Sequence, residues 1–260
     1  MSGARAVVAT ARNYRAAVAE LRGSARHSDL VPGAVVVIPG GGPWWTLLLE
    51  AQAAGAVAVV VSNPGRVPPE AGSALSADAV TLPVVVERPY ARADILADAL
   101  GARAGNAPTM VTVECAAPAL DLGATLRDGL RWAAVLAGGP LSYCGGGDGT
   151  FLLEAAGVSG SVPVTAGVRL LTGDARDPLL RVMALGEVRS EIESGRVGAG
   201  VRLETATFNG TIRAPLRYET PARLALRRAL DSCRSGERPD DLEHLLSDHD
   251  LAAHLLGPHK

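Results

Sequence analysis

Lysine is nearly absent from this chain: Lys260 is the sole one, and every other basic side chain is an arginine. A guanidinium stays protonated in proteins, so an internal lysine serving as Schiff-base amine or general base is excluded. Cysteines number three, Cys115, Cys144 and Cys233, with no C-x-x-C pair. That leaves no disulfide framework and points to a reduced, cytoplasmic compartment. Aromatics make up 3% of the residues, so a core has to be built from Ala, Val and Leu. Apolar runs are too short or too interrupted to cross a bilayer, and no basic segment precedes an apolar leader. Charge of one sign is lacking too: 25 basic against 27 acidic groups give a net −2. Nothing electrostatic favours a nucleic acid or an anionic membrane as partner.

The 260 residues suffice for two modest domains. In the first half, apolar runs at Ala6–Ala9, Ala34–Ile38, Ala56–Val61, Pro83–Glu87 and Met110–Glu114 read as strands buried on both faces. Between them, helical spacing predicts helices over Asn13–Arg22, Trp44–Ala54 and Ala91–Arg103. Such alternation predicts an α/β parallel sheet. After a helix over Leu120–Ala137 the pattern turns to period two, with strands expected at Phe151–Ala155, Val162–Leu171, Leu180–Leu185, Val188–Glu193, Val201–Phe208 and Thr211–Ala214, and a hairpin turn at Phe208-Asn209-Gly210-Thr211. Two helices, Pro221–Arg234 and Asp240–Leu255, close the chain, the first with Thr220 as N-cap and proline at its first position. The expected architecture is a Rossmann-like parallel sheet over 1–117, then an open, mostly antiparallel sheet with C-terminal helices over 118–260.

The stretch Asp121-Leu122-Gly123-Ala124-Thr125-Leu126-Arg127-Asp128-Gly129-Leu130-Arg131-Trp132 resembles the D-x-G-x-H-x-x-D-x-x-R-W helix of the glucose-fructose oxidoreductase and inositol dehydrogenase (Gfo/Idh/MocA) family. The element order resembles that family over most of the chain. The resemblance implies a nicotinamide dinucleotide fold, an open sheet that packs on a partner's sheet, and a histidine that handles the substrate proton. Thr125 stands at the histidine's place. The family's glycine-rich turn after the first strand, where helix amides hold a pyrophosphate, corresponds to Thr10-Ala11-Arg12-Asn13-Tyr14, without a glycine. Its E-K-P tripeptide corresponds to Ser62-Asn63-Pro64, with Asn63 for the lysine. Asparagine relays no proton at neutral pH. The three losses together predict a pseudoenzyme that takes no cofactor, NAD or NADP remaining the alternative. Whether the first strand of the chain is the family's first is left open.

Asp121, Thr125, Asp128 and Trp132 fall at i, i+4, i+7 and i+11, one face of a helix. There Asp128 and Thr125 are candidate catalytic residues and, with Asp121, candidate ligand contacts. The competing reading makes Asp121 a cap, Trp132 core, and Asp128 the partner of an arginine. Gly40-Gly41-Gly42, between a strand and a helix, either form an anion-binding turn or simply let the chain bend. Of the adjacent Trp44 and Trp45, one face each, one is expected in the core and the other as a stacking platform or an interface anchor. Gly40, Gly41, Gly42, Trp44 and Asn63 complete the candidate ligand set. Tyr143-Cys144-Gly145-Gly146-Gly147-Asp148-Gly149 reads as a flexible hairpin or loop. His244, His249, His254 and His259 recur at spacings of five, a rotation of about 140° per step on a helix, so they do not converge on a metal. His27 with Asp29 is a surface pair that could also serve catalysis.

Three functions are thus expected in order: a non-catalytic homodimeric or heteromeric partner subunit joined through the C-terminal open sheet; a cofactor-independent isomerase, cyclase or lyase reusing the old cleft; and an NAD(P)-dependent oxidoreductase with an altered cofactor site.

Overall fold

The computed structural model describes residues 3–75, 79–157, 160–172, 177–195 and 200–257. Contacts divide the chain into two compact units, Met1–Arg88 with Tyr218–Leu246, and Pro89–Arg217 with Ser247–Lys260.

The first unit holds β1 (Arg5–Val8), α1 (Arg12–Glu20), β2 (Ala25–His27), β3 (Val35–Pro39), α2 (Trp44–Ala53), β4 (Ala58–Ser62), α3 (Pro69–Ala74) and β5 (Val84–Glu87). All pairings are parallel, in the order β2-β1-β3-β4-β5. The inner strands are valine runs because both faces are covered. Val35, Val37, Val60 and Val85 pack under Tyr14 and Val18 of α1 and under Leu226 and Ala229 of α6 (Pro221–Ser235). Val36, Ile38, Val59, Val61 and Val86 pack against Trp44 and Leu48 of α2 and Leu245 of α7 (Asp241–Leu256). Each such buried side chain is worth roughly 1.5–3 kcal/mol. Thr220 caps α6 as expected, its hydroxyl accepting from the Arg223 amide at 3.2 Å. Asp241 accepts from the Val86 amide at 2.9 Å and pairs with Arg228 at 2.8 Å, fastening the start of α7 to β5.

The second unit holds α4 (Ala93–Arg103), β6 (Met110–Ala117), α5 (Ala119–Ala137) and strands β7 (Leu141–Gly147), β8 (Thr150–Gly157), β9 (Gly160–Leu170), β10 (Leu179–Leu185), β11 (Arg189–Ser194), β12 (Val201–Thr207) and β13 (Gly210–Arg213). They form an eight-stranded sheet, β13-β12-β11-β10-β6-β9-β8-β7, antiparallel except for β6 with β9. Alternation puts Phe151, Leu153 and Ala155, and likewise Leu180, Val182 and Ala184, on the buried face with α5. Gly129 lets α5 lie close: a Cβ there would stand 2.8 Å from the side chains of both Val113 and Leu180.

The architecture expected from sequence is present, with three differences. Met110–Ala117 is the centre of the second sheet, not part of the parallel one. Val111, Val113, Cys115 and Ala117 are buried while Glu114 is exposed, a period-two pattern that a strand covered on both faces would lack. The glycine-rich Leu141–Gly147 is edge strand β7, paired with β8 through a bulge between Tyr143 and Gly145. Asp148 and Gly149, with φ of +51° and +79°, make its two-residue hairpin turn. Strand β2 and helix α3 carry too few apolar residues to announce themselves.

Candidate functional site

Strand order decides where a ligand can sit. The chain leaves β1 for β2 on one side and then enters β3 on the other, so β1/β3 is the topological switch point, where open parallel sheets bind ligands outside their carboxyl ends. A crevice of about 290 Å³ lies there, lined by Thr10 and Ala11 after β1, Val37, Pro39, Gly40 and Gly41 at the end of β3, and Ser62 and Asn63 at the end of β4. Arg5–Val8 thus lies at the switch point, between β2 and β3.

The turn after β1 needs no glycine to form. Ala11, the N-cap of α1, has φ −67° and ψ 136°, ordinary extended backbone. No side chain caps α1 and its first turn carries no acid. Its leading amides therefore leave a place for an anion. Alanines at 9 and 11 replace two glycines of the G-x-G-x-x-G spacing with one methyl each, and Tyr14, at the third, turns into the core. A phosphate approaching this turn would meet open α1 amides and two methyl groups instead of bare backbone, an arrangement compatible with a dinucleotide.

Of the candidate residues, Gly40, Gly41 and Asn63 meet in this crevice. Gly40 is there for packing: its amide donates to Ser62 O at 2.7 Å, its carbonyl accepts from Gly65 N at 2.9 Å, and a Cβ would stand 2.4–2.5 Å from the backbone of Asn63 and Pro64. Asn63 has φ +48°, a left-handed conformation that asparagine tolerates better than lysine would. Gly42 borders a second hollow of about 480 Å³ shared with Gly40, Gly41, Trp45 and Arg66. Trp44 lies elsewhere. It is wholly buried against Leu48, edge-on to Trp45 at 6.4 Å, so Trp45 is the ring that borders the hollow.

Three residues that sequence reasoning missed meet at the crevice, Ser62 in its wall and Tyr14 and Glu87 behind it. Tyr14 Oη donates to Glu87 Oε2, and Ser62 Oγ donates to the same oxygen at 2.8 Å. Burial and the adjacent Glu87 charge push the Tyr14 phenol upward, keeping it a donor. The available signal was a carboxylate closing a run of three valines.

In the second unit, the expected helix face exists and converges, but on the protein's own chain. Asp128 Oδ2 accepts from the Tyr90 amide at 3.0 Å, and Trp132 Nε1 donates to the Tyr90 carbonyl at 2.8 Å. Thr125 Oγ1 donates to Asp121 O at 2.8 Å and its side chain meets the Tyr90 phenol. Burial, then the charges of Asp121 and Asp128, raise the Tyr90 pKa. Thr125 and Asp128 are 0% exposed, which shuts both from any solvent-filled cleft; Asp121 is exposed in the first turn of α5, whose cap position is Pro118. The Arg127 guanidinium lies 3.6 Å from Asp128. His27 is exposed at the end of β2, and His254 packs its ring on Tyr143. Among the described residues no three His, Cys, Asp or Glu side chains gather around a metal position, and no helix is long and apolar enough to cross a membrane.

No family model matches the sequence, and no curated protein matches it. Solved structures do. UDP-N-acetylglucosamine 3-dehydrogenase GnnA from Acidithiobacillus ferrooxidans superposes with a TM-score of 0.67 at 15% identity, covering 98% of this chain and 97% of that one. KijD10, a 3-ketoreductase from Actinomadura kijaniata in complex with TDP-benzene and NADP, gives 0.59 at 15% identity, with the same coverage. An oxidoreductase from Sinorhizobium meliloti gives 0.62 at 10% identity, again over 98% and 97%. The expectation of a chain without a cofactor is overturned by these neighbours, one of them crystallised with NADP. It failed because it equated the missing glycines with a missing crevice, whereas the crevice is made by strand order. Sheet topology, the α5 motif and these superpositions agree that the chain has the two-domain fold of the Gfo/Idh/MocA-type oxidoreductases.

Proposed function

We propose that the protein is an NAD(P)-dependent oxidoreductase with an altered cofactor site, acting between a hydroxyl and a carbonyl of a small polar metabolite. The crevice at the β1/β3 switch point carries this reading, since it joins an uncapped helix N-terminus and the polar Ser62 and Asn63 at one carboxyl edge. The α1 amides would hold the pyrophosphate, and the bound nicotinamide would supply hydride chemistry. The chain's own residues bind and orient; neither Thr125 nor Asn63 titrates near neutrality, so substrate protonation falls to a group other than those two positions. Calorimetric titration with NADH and NADPH tests the reading: saturable micromolar binding is expected, and its absence in folded protein refutes it.

We further propose self-association, or pairing with a related chain, through the outer face of the eight-stranded sheet. Leu152 and Leu179 are 52% and 42% exposed there, in a sheet whose other face is covered by α5. Light scattering at micromolar concentration is expected to give a dimer mass, and a monomer would refute this.

A further inference from the structure

Glu87 is an unusual way to end a buried strand, because a hydrogen-bonded acid costs more to enclose than another valine. Its Oε2 takes hydroxyls from two other elements, Tyr14 of α1 and Ser62 of β4, and Ser62 is itself part of the crevice wall. The carboxylate therefore stands one hydroxyl behind that wall, fixed from both sides. Val86 beside it is tied to Asp241, whose charge is already matched by Arg228. In a dinucleotide sheet the two mononucleotides occupy the two halves on either side of the switch point, the adenosine half on the side of the second strand. Strands β3, β4 and β5 lie on the other side of β1, which assigns Ser62 and Glu87 to the nicotinamide half.

We propose that Glu87, positioned by Tyr14 and Ser62, makes this crevice discriminate between redox states of the cofactor, its fixed negative charge favouring the cationic nicotinamide of the oxidised form over the neutral reduced ring. The inference rests on the cofactor reading above. An ion interaction across several ångströms of half-buried protein amounts to roughly a tenfold preference.

The test is calorimetric Kd measurement for NAD+, NADH, NADP+ and NADPH on the wild type, Glu87→Gln, Glu87→Asp and Tyr14→Phe, each checked for native circular dichroism. Wild type is expected to bind the oxidised member of its preferred pair about tenfold more tightly. Glu87→Gln should lose that ratio through the oxidised form alone, while Glu87→Asp and Tyr14→Phe, which keep the charge, should retain it. Equal weakening of both forms in Glu87→Gln, or a wild type that binds the reduced form as tightly as the oxidised, overturns the inference and leaves the cofactor reading standing. A wild type that binds neither overturns both. Should Glu87→Gln fail to fold, Glu87→Ser, which removes the charge but leaves a hydroxyl to accept from Tyr14 and Ser62, takes its place with the same expected loss.

Discussion

The three glycines at 40–42 are chemically alike, yet the structure gives each a different consequence on replacement by alanine. At Gly40 a Cβ would meet Asn63 and Pro64 backbone atoms at 2.4–2.5 Å, where neither side can yield by a rotamer change. Relief requires parting the loops after β3 and β4, which loosens the Gly40–Ser62 and Gly65–Gly40 hydrogen bonds. Two such bonds at about 1 kcal/mol each, with overpacking strain of about 1–3 kcal/mol, put Gly40→Ala at about 3–5 kcal/mol destabilising. At Gly42 nothing lies within 4 Å, but φ is +63°, so alanine costs about 1 kcal/mol through backbone strain. At Gly41 neither obstacle exists, and alanine should be neutral within about 0.5 kcal/mol. Thermal unfolding followed by circular dichroism should rank the variants 40, 42, 41, with Gly40→Ala lower in Tm by about 6–20 °C. A Gly40→Ala protein as stable as Gly41→Ala would refute the close approach and, with it, the shape assigned to the crevice wall. The same series separates the two sequence readings of this run, since an anion-binding turn would show its effect in ligand affinity, not in folding.

Asp128→Ala leaves the buried Tyr90 amide without an acceptor, whereas Asp128→Asn keeps one; urea unfolding should find the alanine variant less stable than the asparagine variant by about 1–3 kcal/mol, and equal stability would remove Asp128 from its role as a clamp. Cys144 is exposed and Cys115 buried, so a thiol reagent should label Cys144 at once and Cys115 only on unfolding. Burial pushes the Cys115 thiol up to about 12; the unfolded thiol ionises near ~8.5, so the folded state holds more protons between these values. Stability should therefore be full below about pH 8.5 and fall as pH rises toward 12, a loss that Cys115→Ala reduces; an unchanged alkaline limb in that variant would contradict the burial. Thr220→Ala should cost about 1 kcal/mol through the lost α6 cap, read from the same melts, and no change would mean that the Arg223 amide finds water equally well.

Much of the fold was legible because its signals are local. Valine runs bounded by turn residues gave β3, β4 and β5 nearly to the residue, and Thr220-Pro221 gave the start of α6. The short β2, Ala25–His27, buries Ala25 alone and escaped, and the glycines of β7 carry no side-chain pattern, so that stretch read as a hairpin or loop without its strand bounds. At the candidate site, spacing correctly placed Thr125, Asp128 and Trp132 on one face of α5 but could not say that this face closes on Tyr90, a residue 38 positions away in the case of Asp128.

Sequence by itself determined the element order, the change from helical to period-two patterning, the α5 motif, and the absence of an internal lysine, all of which depend on neighbours in the chain. Only tertiary structure decided that β1 sits at the switch point, that a crevice forms there without glycines in the turn after β1, and that Tyr14 and Glu87 meet Ser62 of its wall from behind. The physical reason is that strand order and hydrogen bonds between distant elements are fixed by the burial of two sheet faces at once, a condition that no single segment carries.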